Sequence, residues 1–195
     1  MSIYVRNTCR ICSSNDLVEF LKFESMPLGG AFIKEEDKHK DRSYPLTVVF
    51  CRQCKEVQIL EVLDAEEYYR DYRFLASTTQ THRDHFKNYA QEMKDRFLQQ
   101  GARVVEFGSN DGILQKPFKE LGIQVIGVEP AKNVAAIAKE NGLIVFNSFF
   151  NESTVHQIKE MYGQADMICA NNVFAHIDNM HEVMNAFGQA YAITE

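Results

Sequence analysis

Apolar and polar positions follow two different patterns along this chain of 195 residues. From residue 101 onward, short apolar runs alternate with stretches in which apolar residues recur every three or four positions. The runs are predicted strands: RVVEFG, QVIGVEP, LIVFNSFF and ADMICANN. The stretches that follow them are predicted helices. Repeated strand and helix units of this kind are typical of a parallel, doubly wound α/β sheet.

The amino-terminal part has shorter and less regular patterns. Two runs, LVEFLKF and YPLTVVFC, are predicted strands, MPLGGAF is a predicted loop, and KEEDKHKDR is a predicted solvated tip. Helical spacing follows, with Asp64 as the N-cap of one helix and a second helix running to a glycine stop at Gly101. We therefore expect a small domain over residues 1–63, a helical connector over 64–100 and an α/β domain over 101–195.

Composition excludes several classes of protein. The hydrophobic content of 45% suits a globular fold. No apolar run approaches the roughly 20 residues that a membrane span needs, and the start, MSIYVRNTCR, lacks the apolar stretch of a secretory signal. A net charge of -6 opposes binding to phosphate backbones. We expect a cytoplasmic protein with neither nucleic acid nor membrane as a partner.

Four of the five cysteines form two C-x-x-C pairs, CRIC and CRQC. Such pairs can close tetrahedrally around one zinc ion, each on a tight turn whose N–H groups bond the sulfurs. We expect Cys9, Cys12, Cys51 and Cys54 to hold a structural zinc ion. The alternatives are four reduced thiols or a redox pair of the thioredoxin type. The fifth cysteine, Cys169, lies in an apolar run and is predicted to be a core residue.

The segment VVEFGSNDGIL, residues 104–114, joins the first predicted strand of the α/β region to its helix. In a doubly wound sheet this turn faces a ligand at the carboxyl ends of the strands. The segment lacks the G-x-G-x-x-G pattern that accommodates a pyrophosphate. Glu129, which ends the second strand, is placed to accept hydrogen bonds from two ribose hydroxyls. A nucleoside without phosphates fits this pattern, and S-adenosylmethionine is the common cofactor of that kind.

Six segments follow one another in a recognisable order: CRIC, MPLGGAF, YPLTVVFCRQC, VVEFGSNDGIL, VIGVEPAKNVA and ADMICANNVFAHIDNM. Together they resemble the sugar C-methyltransferases, which add a methyl group to a ring carbon of a nucleotide-linked keto-deoxysugar. The resemblance begins at about residue 8 and runs to the end of the chain. It implies a class I, Rossmann-like methyltransferase sheet preceded by a small zinc-binding domain, with S-adenosylmethionine as cofactor and a nucleotide-linked deoxysugar as substrate.

The resemblance also implies roles for individual residues. The catalytic candidates are His176, after the fourth strand, and Tyr72, in the segment YRDYRFLASTTQ that folds over the active site in the family. Phe74 departs from the family pattern, because a second tyrosine is expected at that position. Phe150, like Phe149, is a candidate for flanking the adenine, and Thr79 is a further candidate in the segment that folds over the active site. The cofactor-binding candidates are Gly108, Asn110, Glu129, Phe149, Asn171, Asn172 and Ser77.

The implied reaction is attack by the carbon of a sugar enolate on a sulfonium methyl group, after a base has removed the proton beside the ketone. Class I sheets have seven strands, whereas four are predicted here, so we expect an incomplete sheet. In the family a Tyr-Glu-His segment and a further domain lie beyond this point. The fourth strand and the segment VMNAFGQAYA would then favour self-association or pairing with a missing carboxyl-terminal half.

The sequence is also compatible with two other function classes. A dinucleotide oxidoreductase could use the same sheet, although the missing third glycine disfavours it. A non-catalytic module that binds zinc and a nucleoside is the second alternative.

Overall fold

The computed structural model describes residues 2–69 and 72–190. The chain forms two compact units, which divide between Tyr68 and Tyr69. No helix among the described residues combines the length and apolar character needed to cross a membrane.

The first unit is built mainly from short antiparallel strands. Strands β2, β3 and β4 form one sheet in that order, and β1 pairs with β5 in a second, two-stranded sheet. The predicted charged tip is a 3-10 turn over residues 35–40 with no buried residue. The elements are β1 (Ile3–Val5), β2 (Leu17–Pro27), β3 (Ser43–Cys51), β4 (Val57–Ile59), β5 (Glu61–Leu63) and α1 (Ala65–Tyr69).

Helix α1 begins at the predicted cap. The Oδ1 atom of Asp64 accepts a hydrogen bond from the N–H of Glu67 at 2.8 Å. This bond satisfies one of the backbone donors that a helix start leaves without an intrahelical partner. The N–H of Asp64 donates to the carbonyl of Ser2 at 3.1 Å, so the same residue also anchors the amino-terminal strand.

The second unit contains a four-stranded sheet in the order β8-β7-β6-β9, and every neighbouring pair is parallel. This arrangement confirms the predicted α/β sheet. Its elements are α2 (Gln80–Phe97), β6 (Arg103–Phe107), α3 (Gln115–Glu120), β7 (Gln124–Val128), α4 (Lys132–Glu140), β8 (Ile144–Phe146), α5 (Glu152–Tyr162), β9 (Met167–Cys169) and α6 (Met180–Ala190).

Successive residues of the central strands point to opposite faces of this sheet. Val104 packs with Phe118 of α3 and Phe86 of α2 on one face. Val105 packs with Ile158 of α5 and with α6 on the other face. The sheet is therefore covered on both sides, which explains why its strands read as nearly continuous apolar runs.

Helix α2 differs from the sequence expectation in its length. It ends at Phe97 instead of continuing to Gly101, because Leu98 takes an extended conformation with φ −115° and is only 8% exposed. Leu98 and Ala102 enter the same core as Phe86 and Ala90, two residues of α2 itself. The helix predicted as part of a connector thus packs within the second unit.

Gly112 provides a test of close packing in this unit. Its φ is +85°, and an added Cβ would lie 2.1 Å from Cδ1 of Leu143. We expect Gly112→Ala to lower the free energy of unfolding by about 1 to 3 kcal/mol, because it adds both strain and overpacking. Urea unfolding followed by circular dichroism measures the change.

Gly188→Ala is the matched control, because it adds the same methyl group at an exposed position of α6 with no atom within 4 Å. It should stabilise the protein by about 0.5 to 1 kcal/mol through helix propensity. A Gly112→Ala variant as stable as the parent would contradict the packing described here.

Candidate metal centre and cofactor site

The metal centre lies in the first unit, where two loops bring four thiols together. The Sγ atom of Cys9 lies 3.5 Å from that of Cys54, and the Sγ atom of Cys12 lies 3.6 Å from that of Cys51. All four sulfurs lie within 4.8 Å of one another. Four sulfurs arranged tetrahedrally at a zinc–sulfur distance of about 2.3 Å would be about 3.8 Å apart. The residues therefore fit a structural zinc ion with all four positions filled by sulfur.

The two C-x-x-C loops have matching backbones. The residue after the second cysteine has a positive φ in each loop, 60° at Ser13 and 72° at Lys55. Its N–H donates to the carbonyl of the first cysteine, at 2.9 Å in both loops. The N–H of the first cysteine donates to the carbonyl of the residue five positions later, Ser14 in one loop and Glu56 in the other, at 2.8 Å in both. Both motifs thus form the tight turn that a zinc-binding knuckle requires.

Gln58 supports the first of these loops. It lies on β4 and is only 4% exposed. Its Oε1 accepts from the N–H of Arg10 at 2.9 Å, and its Nε2 donates to the carbonyl of Thr8 at 3.1 Å. Because these bonds grip the backbone on both sides of Cys9, they fix the position of that sulfur.

The thiols differ in acidity because their surroundings differ. The backbone N–H of Cys54 is the main cause that lowers the pKa of Cys51 to about 7. The backbone N–H of Glu56 lowers the pKa of Cys54, but burial and the three neighbouring thiols outweigh it and raise that pKa to about 12. Thiols this close together hinder one another's ionisation, and a divalent cation that replaces their protons removes that effect.

The candidate cofactor site lies at the carboxyl ends of the strands in the second unit. The turn after β6 begins at Gly108, and the N–H groups of Gly108 and Ser109 donate to the carbonyl of Val128 at 2.8 and 3.3 Å. Gly108 and Asn110 have positive φ values of 66° and 50°. A Cβ on Gly108 would lie 2.2 Å from Cγ2 of Val173, so glycine is needed there for contact with the loop after β9.

Glu129 follows β7 and is only 4% exposed. One carboxylate oxygen accepts from the N–H of Asn110 at 2.9 Å, and the other accepts from the N–H of Ala131 at 2.8 Å. Burial raises the pKa of Glu129, while the two N–H groups lower it. Each oxygen of a carboxylate can accept more than one hydrogen bond, so Glu129 retains capacity for ligand hydroxyls.

The turn is also bonded to the segment over residues 74–77. Asn110 accepts from the N–H of Ala76 at 3.0 Å and donates through Nδ2 to the carbonyl of Phe74 at 3.1 Å. The Oδ2 atom of Asp111 accepts from the N–H and the hydroxyl of Ser77, at 3.1 and 2.7 Å. The side chains of Asn110 and Ser77 therefore join the segment to the turn.

Several buried polar atoms around this turn have no hydrogen-bond partner within the part of the chain that the structure describes. They include Ser109 Oγ, Asp111 Oδ1 and Asn171 Nδ2. Ser109 is 1% exposed and Asp111 is 6% exposed, so an unpartnered atom there is costly. This mixture of donors and acceptors fits the polar methionine end of S-adenosylmethionine.

The loop after β9 contains the other predicted residues of this region. His176 ends a short 3-10 turn, is exposed, and donates its N–H to the carbonyl of Val173 at 2.9 Å. Asn172 is exposed and has a positive φ of 55°, whereas Asn171 is half-buried. The turn after β6 and this loop come into contact at Gly108 and Val173.

An aromatic cluster lies beside α4. The rings of Tyr69 and Tyr72 are 5.6 Å apart between centroids, and those of Tyr69 and Phe149 are 6.4 Å apart. The side chain of Asn133 holds the backbone of Tyr72, accepting from its N–H at 3.1 Å and donating to its carbonyl at 2.6 Å. Tyr72 and Phe149, proposed from sequence for different roles, thus share one cluster.

Two further candidates have structural roles instead. Phe150 is 6% exposed and stacks on Phe107 at 4.8 Å between centroids, so it packs in the core. Thr79 caps α2, because its hydroxyl accepts from the N–H of His82 at 3.3 Å.

Sequence reasoning missed three residues of these sites. Glu106 is 3% exposed on β6, and burial, followed by the charges of Glu129 and Asp111, raises its pKa well above the usual value. A charged residue inside the apolar run VVEF was an available signal. Asp111 and Gln58 gave a weaker signal, because acidic turn residues and a single polar residue in a strand are common.

Comparison with known protein families agrees with this division of the chain. Residues 9–69 match a family described as "Putative zinc binding domain". Residues 78–192, more than half of the chain, match a family described as "Methyltransferase domain". The chain belongs to the methyltransferase domain family. This match confirms the predicted methyltransferase domain, and the match over residues 9–69 agrees with the predicted amino-terminal zinc-binding domain.

The C-methyltransferase NovU of Streptomyces niveus is 32% identical over 179 residues, which cover 91% of this chain and 43% of NovU. The ubiquinone biosynthesis O-methyltransferase of Nitrobacter winogradskyi is 32% identical over 77 residues, covering 40% of this chain and 30% of that protein. The chain thus spans less than half the length of these curated relatives.

Solved methyltransferase structures also align with the chain. Magnesium protoporphyrin IX methyltransferase (ChlM) from Synechocystis PCC 6803, with bound SAM, aligns with a TM-score of 0.48 and 12% identity over 67% of this chain and 73% of ChlM. The plantazolicin methyltransferase BpumL in complex with SAH aligns with a TM-score of 0.43 and 11% identity over 55% of this chain and 41% of BpumL.

The contacts of Gln58 generate a prediction about the metal. Purified protein should contain about one zinc ion per chain. Gln58→Ala should weaken zinc binding about 10- to 100-fold, because the loop around Cys9 loses two bonds that orient its sulfur. Competition with a chromophoric chelator measures the affinity.

Gln53→Ala is the control, since Gln53 is an exposed residue of the second C-x-x-C loop. Its zinc affinity should equal that of the parent. Equal affinity in the Gln58 variant, or a folded first unit that binds no metal, would rule out the centre described here.

Proposed function

We propose that this chain binds S-adenosylmethionine and takes part in methylating a ring carbon of a nucleotide-linked keto-deoxysugar. The main support is the buried Glu129 beside a glycine turn at the carboxyl ends of β6 and β7, which suits the ribose of a nucleoside. The similarity to a protein named as a C-methyltransferase supports transfer to carbon. The sugar substrate is inferred from the resemblance of the sequence motifs.

The proposed cofactor contacts follow from the hydrogen bonds around the turn. Glu129 is held by two N–H groups, so its carboxylate is fixed in one orientation before any ligand arrives. Asn171 offers a buried donor without a partner among the described residues, which suits the carboxylate of the methionine end. Phe149, which is half-buried beside two tyrosines, is proposed to contact the adenine.

When bound, S-adenosylmethionine supplies a methyl group on a positively charged sulfur. The protein must then remove a proton from the carbon beside the sugar ketone. His176 is the proposed base, because it is exposed on the loop that contacts the glycine turn. Tyr72 is proposed to orient the sugar. The zinc ion is proposed to stabilise the first unit only, since four sulfur ligands leave no open position.

Cofactor binding can be tested through Glu129. Glu129→Ala removes the proposed acceptor for the ribose hydroxyls. The binding free energy of S-adenosylhomocysteine should become less favourable by about 1.5 to 3 kcal/mol, the range for hydrogen bonds to a charged group. Calorimetry measures the affinity. The variant also loses the hydrogen bonds from Asn110 and Ala131, and circular dichroism checks that the fold remains intact without them.

Glu140→Ala is the matched control, because Glu140 is an exposed residue at the end of α4. It should bind S-adenosylhomocysteine as the parent does. Titration with NADH distinguishes the dinucleotide alternative. Unchanged affinity in the Glu129 variant, or preference for NADH, would count against this cofactor.

The reaction can be tested with S-adenosylmethionine labelled in its methyl group. A nucleotide-linked 4-keto-deoxysugar should gain the label at a ring carbon, whereas the same sugar with its ketone reduced to a hydroxyl should not, because its C–H bond is far less acidic. Mass spectrometry locates the label. His176→Gln should lower the rate by about 100-fold or more.

The assay is run on the chain alone and on the chain mixed with the carboxyl-terminal half of NovU. We expect the chain alone to bind the cofactor, and the comparison of the two assays shows whether His176 suffices as the base. Label on an oxygen or nitrogen, or no label in either mixture, would contradict the proposed reaction.

A further inference from the structure

Three carboxyl groups lie on β6, on the turn that follows β6 and after the end of β7, and they differ in their hydrogen bonds. Glu129 accepts from two backbone N–H groups, and Asp111 accepts from the N–H and hydroxyl of Ser77. Donors of this kind stabilise the ionised form of a carboxyl group. Glu106 lies on β6 and is 3% exposed, and its Oε2 has no partner among the described residues.

The surroundings of Glu106 also disfavour a negative charge. The groups that face it are the carboxyls of Glu129 and Asp111, the phenol of Tyr89 on α2 and the thiol of Cys169 on β9. None of these groups can carry a positive charge, and burial removes the water that would solvate a negative one. Glu106 is the most buried of the three carboxyl groups and has an oxygen without a donor among the described residues, so it is the group best placed to hold a proton.

We propose that Glu106 holds a proton in the cofactor-free protein and releases it to solvent when S-adenosylmethionine binds. This inference rests on the proposed cofactor. The methionine end brings an ammonium group and the sulfonium brings a second positive charge, and a nearby cation favours an ionised carboxyl group. The O–H bond of Glu106 breaks, its electron pair stays on the carboxylate oxygen, and the proton passes to the buffer.

The sign of the pH dependence follows. Burial and the neighbouring carboxylates raise the pKa of Glu106 in the free protein, and a bound cation lowers it. Between these two values, cofactor binding releases a proton, so affinity increases with pH, by up to about tenfold per pH unit. Above the pKa of the free protein the affinity becomes independent of pH.

Calorimetry counts the protons. S-adenosylhomocysteine, which retains the ammonium group, is titrated into the protein at pH 7 in phosphate and in Tris, two buffers with different heats of ionisation. The wild type should release about one proton per ligand bound. Glu106→Gln should release none and should bind with an affinity that does not change with pH. Glu120→Gln, an exposed residue of α3, should behave as the wild type.

A second ligand and a second measurement separate the possible failures. 5′-Methylthioadenosine lacks the ammonium group and should release no proton. Infrared difference spectra of the cofactor-free protein should show a protonated carboxyl band near pH 7 that is absent in Glu106→Gln.

Binding of S-adenosylhomocysteine without proton release, equal release from Glu106→Gln, or no such infrared band would overturn the inference and leave the proposed function standing. Failure of the wild type to bind S-adenosylhomocysteine at all would overturn the proposed cofactor, and with it the release step.

Discussion

The Glu129 carboxylate joins the two loops on which the candidate cofactor site is built. One of its oxygens holds the turn after β6, and the other holds the start of α4. Asn110 and Asp111, which lie in the turn after β6, accept hydrogen bonds from the segment over residues 74–77. A single buried carboxyl group therefore connects elements that are distant in sequence. Removal of that group would affect the shape of the site as well as its chemistry.

Much of the second unit follows from local sequence patterns. Apolar runs of five to eight residues separated by helical spacing identify the strands, because a parallel sheet covered on both faces requires them. The glycine turn and Glu129 could likewise be located by their positions after the first two strands. The end of α2 could not be located in this way, since Leu98 leaves the helix to reach a core formed by residues far along the chain.

The side-chain partners within the sites were the harder part to predict. The C-x-x-C spacing identifies four thiols, but nothing local indicates that Gln58 holds the loop around Cys9. Similarly, the sequence places Ser77 near the site, whereas its partner Asp111 emerges only when the segment and the turn are brought together. Phe150 shows the converse, because an aromatic residue at the expected position packs into the core.

The contact between Gly108 and Val173 has a consequence for how this protein can vary over evolution. The two positions are 65 residues apart in sequence, yet the space for a Cβ at the first is already filled by the side chain of the second. Among related proteins, a larger residue at position 108 should therefore occur together with a smaller one at position 173. Such paired change would mark the junction between the turn after β6 and the loop that bears His176.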